Sequence, residues 1–582
     1  MQGNKRFRAM TLLPSVLCLV ALFMTACGSG EASNVTTKAP ENKQVLVSIM
    51  AGYGTQDITT YDPALDDDAF SEFAIYPVFT GLVSLNDQGL VEPQLAQSWD
   101  ISTDKMTYTF HLRPNLKFSD GTPLTASDVA YSINRALSSS LGSPTAPYYL
   151  HYIKDAIAYN GGKVKTLIGD SLIVVNPTTI EIKISQPIEF FLDTLTYPCS
   201  YVVEPSLIAK YGKNWTAHLS EGGGDGPFKL KSWTHNKEID LVPNPNYYGP
   251  QPQLKELRLP FYQNQDDTYG DYLAGRLDDA VIPLADYSSA SKRSDFHKNL
   301  LLAINYYTMN YNIAPFNNID IRQAFALAVN KQQIVSKVWD NSLLATNHII
   351  PQGMPGYDPN LKGPDGTTSL TGDPTKAKQL LQEGMKQAGY SNVSKIPPIT
   401  LDYASGGSQA TQAEVAVLQQ DWSDVLGIHV NLSDLPINTL FANESKGAAN
   451  TMQFYTGPAW IADYPDPEDW TTLQFDQGAA QNGMNYGQNH STDAAAQQAV
   501  QKEMEQADLM QNPTQRLATY DDIEQKLVND VIWLPMEQQY WSILRKPCVL
   551  GWKDNGMNLV LPNDWANIYI TNSSSCANAT VS

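Results

Sequence analysis

The chain has 582 residues, and its 60 acidic side chains against 39 basic ones give a formal charge of −21. That balance disfavours a polyanionic partner such as nucleic acid. The length allows several domain-sized units with cores that need no metal or disulfide staples.

The first element in chain order is a leader. Lys5, Arg6 and Arg8 precede an apolar run from Met10 to Met24 that only Thr11, Pro14 and Ser15 interrupt, and the run ends in Thr25-Ala26-Cys27-Gly28. It is too short for a spanning helix and ends in small residues, as a signal peptide over 1–26 would. Met24 to Cys27 resembles a bacterial lipobox, which implies cleavage before Cys27 and lipidation of its thiol. An uncleaved anchor, or an ordinary signal with a chance cysteine, is the alternative. Two or more lipid chains suffice for stable anchoring. Small polar residues then predict a flexible tether over 27–44. Gly28-Ser29 lacks an aspartate retention signal, so the expected location is extracytoplasmic, lipid-anchored to the cell membrane, with outward sorting left open. With Cys18 and Cys27 accounted for, Cys199, Cys548 and Cys576 remain. One disulfide is expected, with Cys548–Cys576 preferred though spacing does not fix it.

Tyr108, Phe110 and Leu112 alternate with polar residues, as do Ile180, Ile182 and Ile184, which predicts half-buried strands. Thr125 and Asp128 form a capping-box pattern ahead of Val129, Ile133 and Leu137. Gly222 to Gly226 lacks the Lys-Ser/Thr of a phosphate loop, and Asp225 would repel phosphate, so a turn before a strand at Phe228 is expected. Asp373-Pro374 opens a helix with Ala377, Leu380, Leu381 and Met385 inward and Gly389 as its stop. Val415, Leu418, Trp422 and Val425 mark another helix ending at Gly427, followed by a strand through Ile428, Val430 and Leu432. Asn512-Pro513 opens a helix with Leu517, Tyr520, Ile523 and Leu527 inward, and Val531 to Met536 reads as a buried strand. Interleaved helices and strands predict an α/β fold.

Several segments in this order carry a resemblance: Tyr61-Asp62-Pro63-Ala64, Phe79-Thr80-Gly81-Leu82-Val83, Val91 to Trp99, Phe118-Ser119-Asp120-Gly121-Thr122-Pro123, Gly226-Pro227-Phe228, Pro243 to Tyr248, Ile321 to Ala326, and Trp460-Ile461-Ala462-Asp463-Tyr464-Pro465-Asp466-Pro467. The chain resembles the family 5 extracytoplasmic solute-binding proteins, the peptide-binding receptors of ABC importers. The resemblance implies a two-lobed periplasmic-binding-protein-like fold with an extra subdomain inserted in lobe I. By that analogy lobe I comprises 45–79, 204–300 and 543–582, the inserted subdomain 80–203, and lobe II 301–542. Ligand would sit between lobes that close by hinge motion.

The resemblance also places the aspartate that pairs with a peptide α-amino group at Asp463. Composition alone favours the blander reading, in which Asp463, Asp466, Glu468 and Asp469 cap a helix near Trp470 or are solvated; the motif reverses this for Asp463 only. A calcium loop lacks its glycine and ligand spacing here. Backbone at Ala459 and Ile461, and around Ala69, is assigned to strand-like pairing with the ligand main chain. Trp460 and Tyr148 are candidate pocket residues, though a tryptophan is more often core. Gly457 stands where some relatives carry a basic residue for the ligand carboxylate, so C-terminal capture by that route is in doubt. No His-x-x-x-His pair and no Gly-x-Ser-x-Gly elbow occurs, and neither a cofactor, a metal nor a catalytic step is expected. The expected function is a monomeric, anchored receptor that passes oligopeptides to an ABC permease. A binder of another solute (sugar, nickel complex or heme) and a lipid-anchored hydrolase are the alternatives.

Overall fold

The structure is a computed structural model, and it describes residues 37–582 apart from 53, 457, 458, 573, 574, 577 and 578. The leader, Cys27, the start of the tether and Gly457 lie outside the described residues. From Lys38 the chain is already docked: Lys38 bridges Thr571, and the Ala39 amide donates to the Ile570 carbonyl at 2.8 Å. The buried Gln44 amide group donates to the Ala39 and Ile570 carbonyls and accepts from the Ile570 N–H. A tether reaching to residue 44 is therefore too long, because a polar segment gains order once its amides find buried partners.

Three main sheets organise the body. In the first, Val45–Val47 runs parallel to Glu256–Pro260, and Glu238–Pro243 and Phe228–Thr234 complete it antiparallel. Its apolar face, including Leu46, Phe228, Ile239, Leu241 and Leu257, packs with Phe79, Trp215 and Trp565. The turn before Phe228 is close backbone packing: a Cβ on Gly224 would lie 2.4 Å from the Val78 carbonyl oxygen, and one on Gly226 2.6 Å from that of Pro77. Cys548 and Cys576 in this lobe form a disulfide, the preferred pairing, while Cys199 is free and buried.

The second sheet is antiparallel throughout, in the order Ala96–Ile101, Thr107–Leu112, Thr179–Lys183 and Leu172–Asn176. The expected alternation holds, with Tyr108, Phe110, Ile180 and Ile182 buried against Val129 and Ile133 of the helix Ala126–Ala136. Its Thr125–Asp128 capping box is present.

The third sheet is mixed, ordered Asp279–Val281, Leu534–Arg545, Phe296–Met309, Phe454–Thr456, Ile399–Tyr403 and Val430–Asp434, with Trp460–Ile461 added beside Phe296–Met309. Its helices start and stop where the sequence signals them: the Asp373 side chain accepts the Thr375 and Lys376 amides, and Gly389 and Gly427 end their helices at positive φ. One boundary differs from expectation. Val531 is a left-handed cap (φ 54°) of the helix Pro513–Asp530, so the buried strand begins at Leu534.

The paired strands Phe296–Met309 and Leu534–Arg545 pass between two cores. Phe296 and Leu544 pack with Ile49, Tyr272 and Leu277, whereas Tyr307, Met309, Leu534 and Met536 pack with Phe454 and Trp422. Their pairing register shifts between Leu300 and Ile304, where a bulge bends a strand pair. Two lobes joined by two crossing strands leave their interface as the natural place for a site. Among the described residues no helix is long and apolar enough to cross a membrane.

Candidate functional site

The segment from Trp460 to Trp470 belongs to one lobe by its backbone and reaches the other by its side chains. Trp460 and Ile461 pair antiparallel with Ile304 and Ala303, and the Ala462 N–H donates to the Leu302 carbonyl at 2.8 Å. Past that short strand, Tyr464 is buried in the core of the 80–203 region, its ring parallel to Phe190 and edge-on to Tyr149. The Trp460 ring, half-buried, packs against both that core and the one around Trp470 and Trp533.

Asp463 lies at this junction. Its carboxylate accepts a short hydrogen bond from the Tyr149 hydroxyl, and its amide donates to Asp469 Oδ2 at 3.2 Å. The same Asp469 oxygen accepts the Trp460 indole N–H at 3.3 Å, which fixes the loop's path. Across the junction the helix Ala69–Ile75 presents Glu72, which meets the Tyr197 hydroxyl. Burial raises the Asp463 pKa to about 7 despite the Tyr149 bond. Burial, then the charge of Asp463, raises Glu72 to about 8. Asp469 is pushed well up by burial and by its neighbours Asp463 and Glu468. Among the described residues no Lys, Arg or His forms an ion pair with Asp463, Glu72 or Asp469. Carboxylates desolvated together without a counter-ion hold their protons until a cation arrives.

The other acids of the loop are occupied. Asp466 caps the short helix Pro467–Trp470 and takes both Nη groups of Arg516, so the capping reading applies to it. Glu468 accepts the Tyr152 hydroxyl at 3.2 Å.

The remaining candidates divide. Ala459 is half-buried and Ile461 is 42% exposed, and among the described residues the strand Trp460–Ile461 pairs only with Phe296–Met309. Ala69 differs from expectation: the Asp68 carboxylate accepts the Phe70 and Ser71 amides at 3.0 Å and starts a helix there, so its backbone is helical and offers no strand edge. Tyr148 is partly buried beside the same core, but its neighbour Tyr149 is the residue that reaches Asp463. Nothing in the sequence spacing of Tyr149, Glu72 and Tyr197 sets them apart from core tyrosines and surface glutamates. A cavity of about 240 Å³ between Asp87, Gly89, Leu302, Gly353 and Met557 touches the loop at Pro465 and excludes Asp463. The Asp278, Cys548 and Cys576 grouping has both thiols in the disulfide, leaving one ligand atom for a metal.

Comparison with known proteins agrees with this architecture. Residues 91–482 match the family model described as bacterial extracellular solute-binding proteins, family 5 Middle. The oligopeptide-binding protein OppA of Bacillus subtilis (strain 168) is 28% identical over 488 residues, covering 82% of this chain and 86% of the relative. The dipeptide-binding protein DppE of the same organism is 28% identical over 483 residues, covering 82% and 84%. The structure of the Escherichia coli murein tripeptide binding protein MppA superposes with a TM-score of 0.75 at 23% identity, covering 92% of this chain and all of that one. The chain belongs to the family 5 bacterial extracellular solute-binding proteins.

Proposed function

We propose that this protein is the membrane-anchored receptor of an ABC importer, binding oligopeptides between its lobes and passing them to the permease without chemical change. The observation that carries the reading is Asp463: a carboxylate held between two lobes by a tyrosine hydroxyl and by no cation among the described residues. A peptide's α-ammonium is the complement such a group lacks. The strand Trp460–Ile461, which among the described residues pairs only with Phe296–Met309, suits main-chain pairing that ignores side-chain identity. Lobe I would comprise 45–79, 204–300 and 543–582, the inserted subdomain 80–203 and lobe II 301–542, with lipid on Cys27 holding a monomer near its permease. The names of the relatives, oligopeptide- and dipeptide-binding proteins, support the ligand class.

Mass spectrometry of ligand released from the purified protein tests this. A mixture of peptides is expected; a single sugar or metal complex would replace the peptide reading with that solute.

Binding should also depend on pH. The free site holds protons because Asp463 and Glu72 titrate at about 7 and about 8, and an ammonium ligand selects their ionised forms. Affinity therefore rises from about pH 6 towards about pH 7.5, by up to roughly tenfold per pH unit for each proton expelled. It falls again once the peptide α-amino group, with a pKa of about 7.7–8.0, loses its own proton. Calorimetry in buffers of different ionisation enthalpy reads the released protons directly; an observed enthalpy independent of buffer would contradict this.

A further inference from the structure

The cavity of about 240 Å³ beside the acidic loop lies where stretches far apart in sequence meet. Its apolar wall is Leu85, Leu300, Leu302, Met557, Leu559 and Leu561. Leu85 precedes the turn that joins the paired strands Val83–Leu85 and Val91–Pro93, and Gly89 in that turn approaches the acidic loop so closely that a Cβ on it would lie 2.9 Å from Pro465 Cγ. Leu300 and Leu302 belong to the crossing strand Phe296–Met309, at the register shift that begins at Leu300. The Leu302 N–H donates to the Gly556 carbonyl at 2.9 Å, which holds the 555–561 segment against that strand. Under the division proposed above, these walls come from the inserted subdomain, the hinge, lobe I and lobe II. Parting the lobes would separate Gly89 from Pro465 and dismantle the cavity, so a molecule that fills it favours the closed arrangement.

The lining also selects the chemistry of an occupant. An apolar cavity of about 150 Å³ takes benzene, so this larger one suits a body of roughly ten non-hydrogen atoms. Asp87 is the one charged residue in the lining, and the exposed Gln88 stands at its rim. Asp87 Oδ2 accepts Lys553 Nζ at 2.7 Å, but that ammonium also serves Asp564 Oδ1 at 3.0 Å, so two carboxylates share one cation. Asp87 Oδ1 is buried and has no partner among the described residues. An unfilled acceptor with a share of negative charge, set against an apolar wall, complements an ammonium on an apolar body. We propose that this cavity is a second ligand site, for a small primary amine with an apolar body, and that filling it tightens peptide binding in the cleft by holding the lobes closed. The coupling rests on the peptide reading above; occupancy of the cavity does not.

Titration calorimetry with 2-phenylethylamine as the probe tests both parts. The amine should bind the full chain at least about fivefold more tightly than 2-phenylethanol, which keeps the body and lacks the charge. Met557→Trp, which puts an indole into the space, should abolish amine binding. Asp87→Asn keeps the shape without the charge and should bring amine and alcohol to similar affinities. Saturating amine should lower the dissociation constant of Ala-Ala-Ala-Ala by about fivefold or more, and the peptide should lower that of the amine by the same factor, as linkage requires. No binding by the wild type, or binding unchanged in both variants, would overturn the site. A peptide affinity that the amine leaves unchanged would overturn the coupling. An amine that weakens peptide binding would overturn the inference as a whole, because the probe would then be competing for the place of the α-ammonium at Asp463. If the amine binds and both variants respond but no peptide binds, the peptide reading and the coupling fall and the second site stands.

Discussion

Asp463→Asn is expected to weaken binding of an unblocked peptide by about 3–5 kcal/mol, the usual loss when one partner of a buried ion pair is removed. That corresponds to roughly two to three and a half orders of magnitude in Kd. Asparagine keeps the shape and can still accept the Tyr149 hydroxyl, so what is lost is the charge. The free protein should not suffer. Asp463 raises the pKa of Glu72 and of Asp469, so removing its charge relieves repulsion, and the melting temperature of the unliganded variant should equal or exceed that of the wild type. An N-acetylated peptide supplies the second arm of a thermodynamic cycle: it should bind the wild type weakly and lose little more in the variant. Equal losses for blocked and unblocked peptides would mean that Asp463 meets some part of the ligand other than its amino terminus.

Local physics made much of the fold legible. Asp373 and Asn512 begin helices because their side chains accept amides that the first turn leaves open, and Gly389 and Gly427 end helices because a left-handed cap suits glycine. Ile180 and Ile182 alternate because one sheet face is dry. What failed to show was which polar side chain the long-range packing would bury. The three residues of the run Asp66-Asp67-Asp68 are chemically identical, yet the structure buries the first, exposes the second and makes the third a helix cap. The helix start at Asp68 turns the chain there, and burial follows from what the turn faces. Tyr148 and Tyr149 are equivalent in sequence, and only the docking of a loop some 300 residues later distinguishes them. Val531 is β-branched and apolar, the profile of a strand residue, but tertiary packing holds it in a left-handed cap.

Arg516 is the clearest case of a residue that periodicity hides, and it gives the second large expected effect. The stripe on the helix Pro513–Asp530 points to Leu517, which is only half-buried, whereas the Arg516 side chain is 5% exposed. Its Nη1 donates to Asp466 Oδ2 at 2.7 Å and its Nη2 to Asp466 Oδ1 at 2.5 Å, with the guanidinium over the rings of Phe190 and Tyr520. Phe190 lies in the 80–203 region and Asp466 in the acidic loop, so this one cation ties the site's loop to both sides of the interface. It is also the cation that offsets Asp193 and Asp508, which burial raises to about 8 and about 7 even in its presence. Arg516→Met keeps the apolar stem but leaves the desolvated Asp466 with its capping amide and no cation, at a cost of about 3–5 kcal/mol. The expected readout is a lowered unfolding midpoint together with weaker peptide binding, because the loop that carries Asp463 loses its anchor. Adding Asp466→Asn to the variant should recover part of the stability, since a buried pair replaced on both sides costs far less than one cut in half. A double variant no more stable than Arg516→Met alone would show that the guanidinium acts through its packing on Phe190 and Tyr520, with the ion pair contributing little.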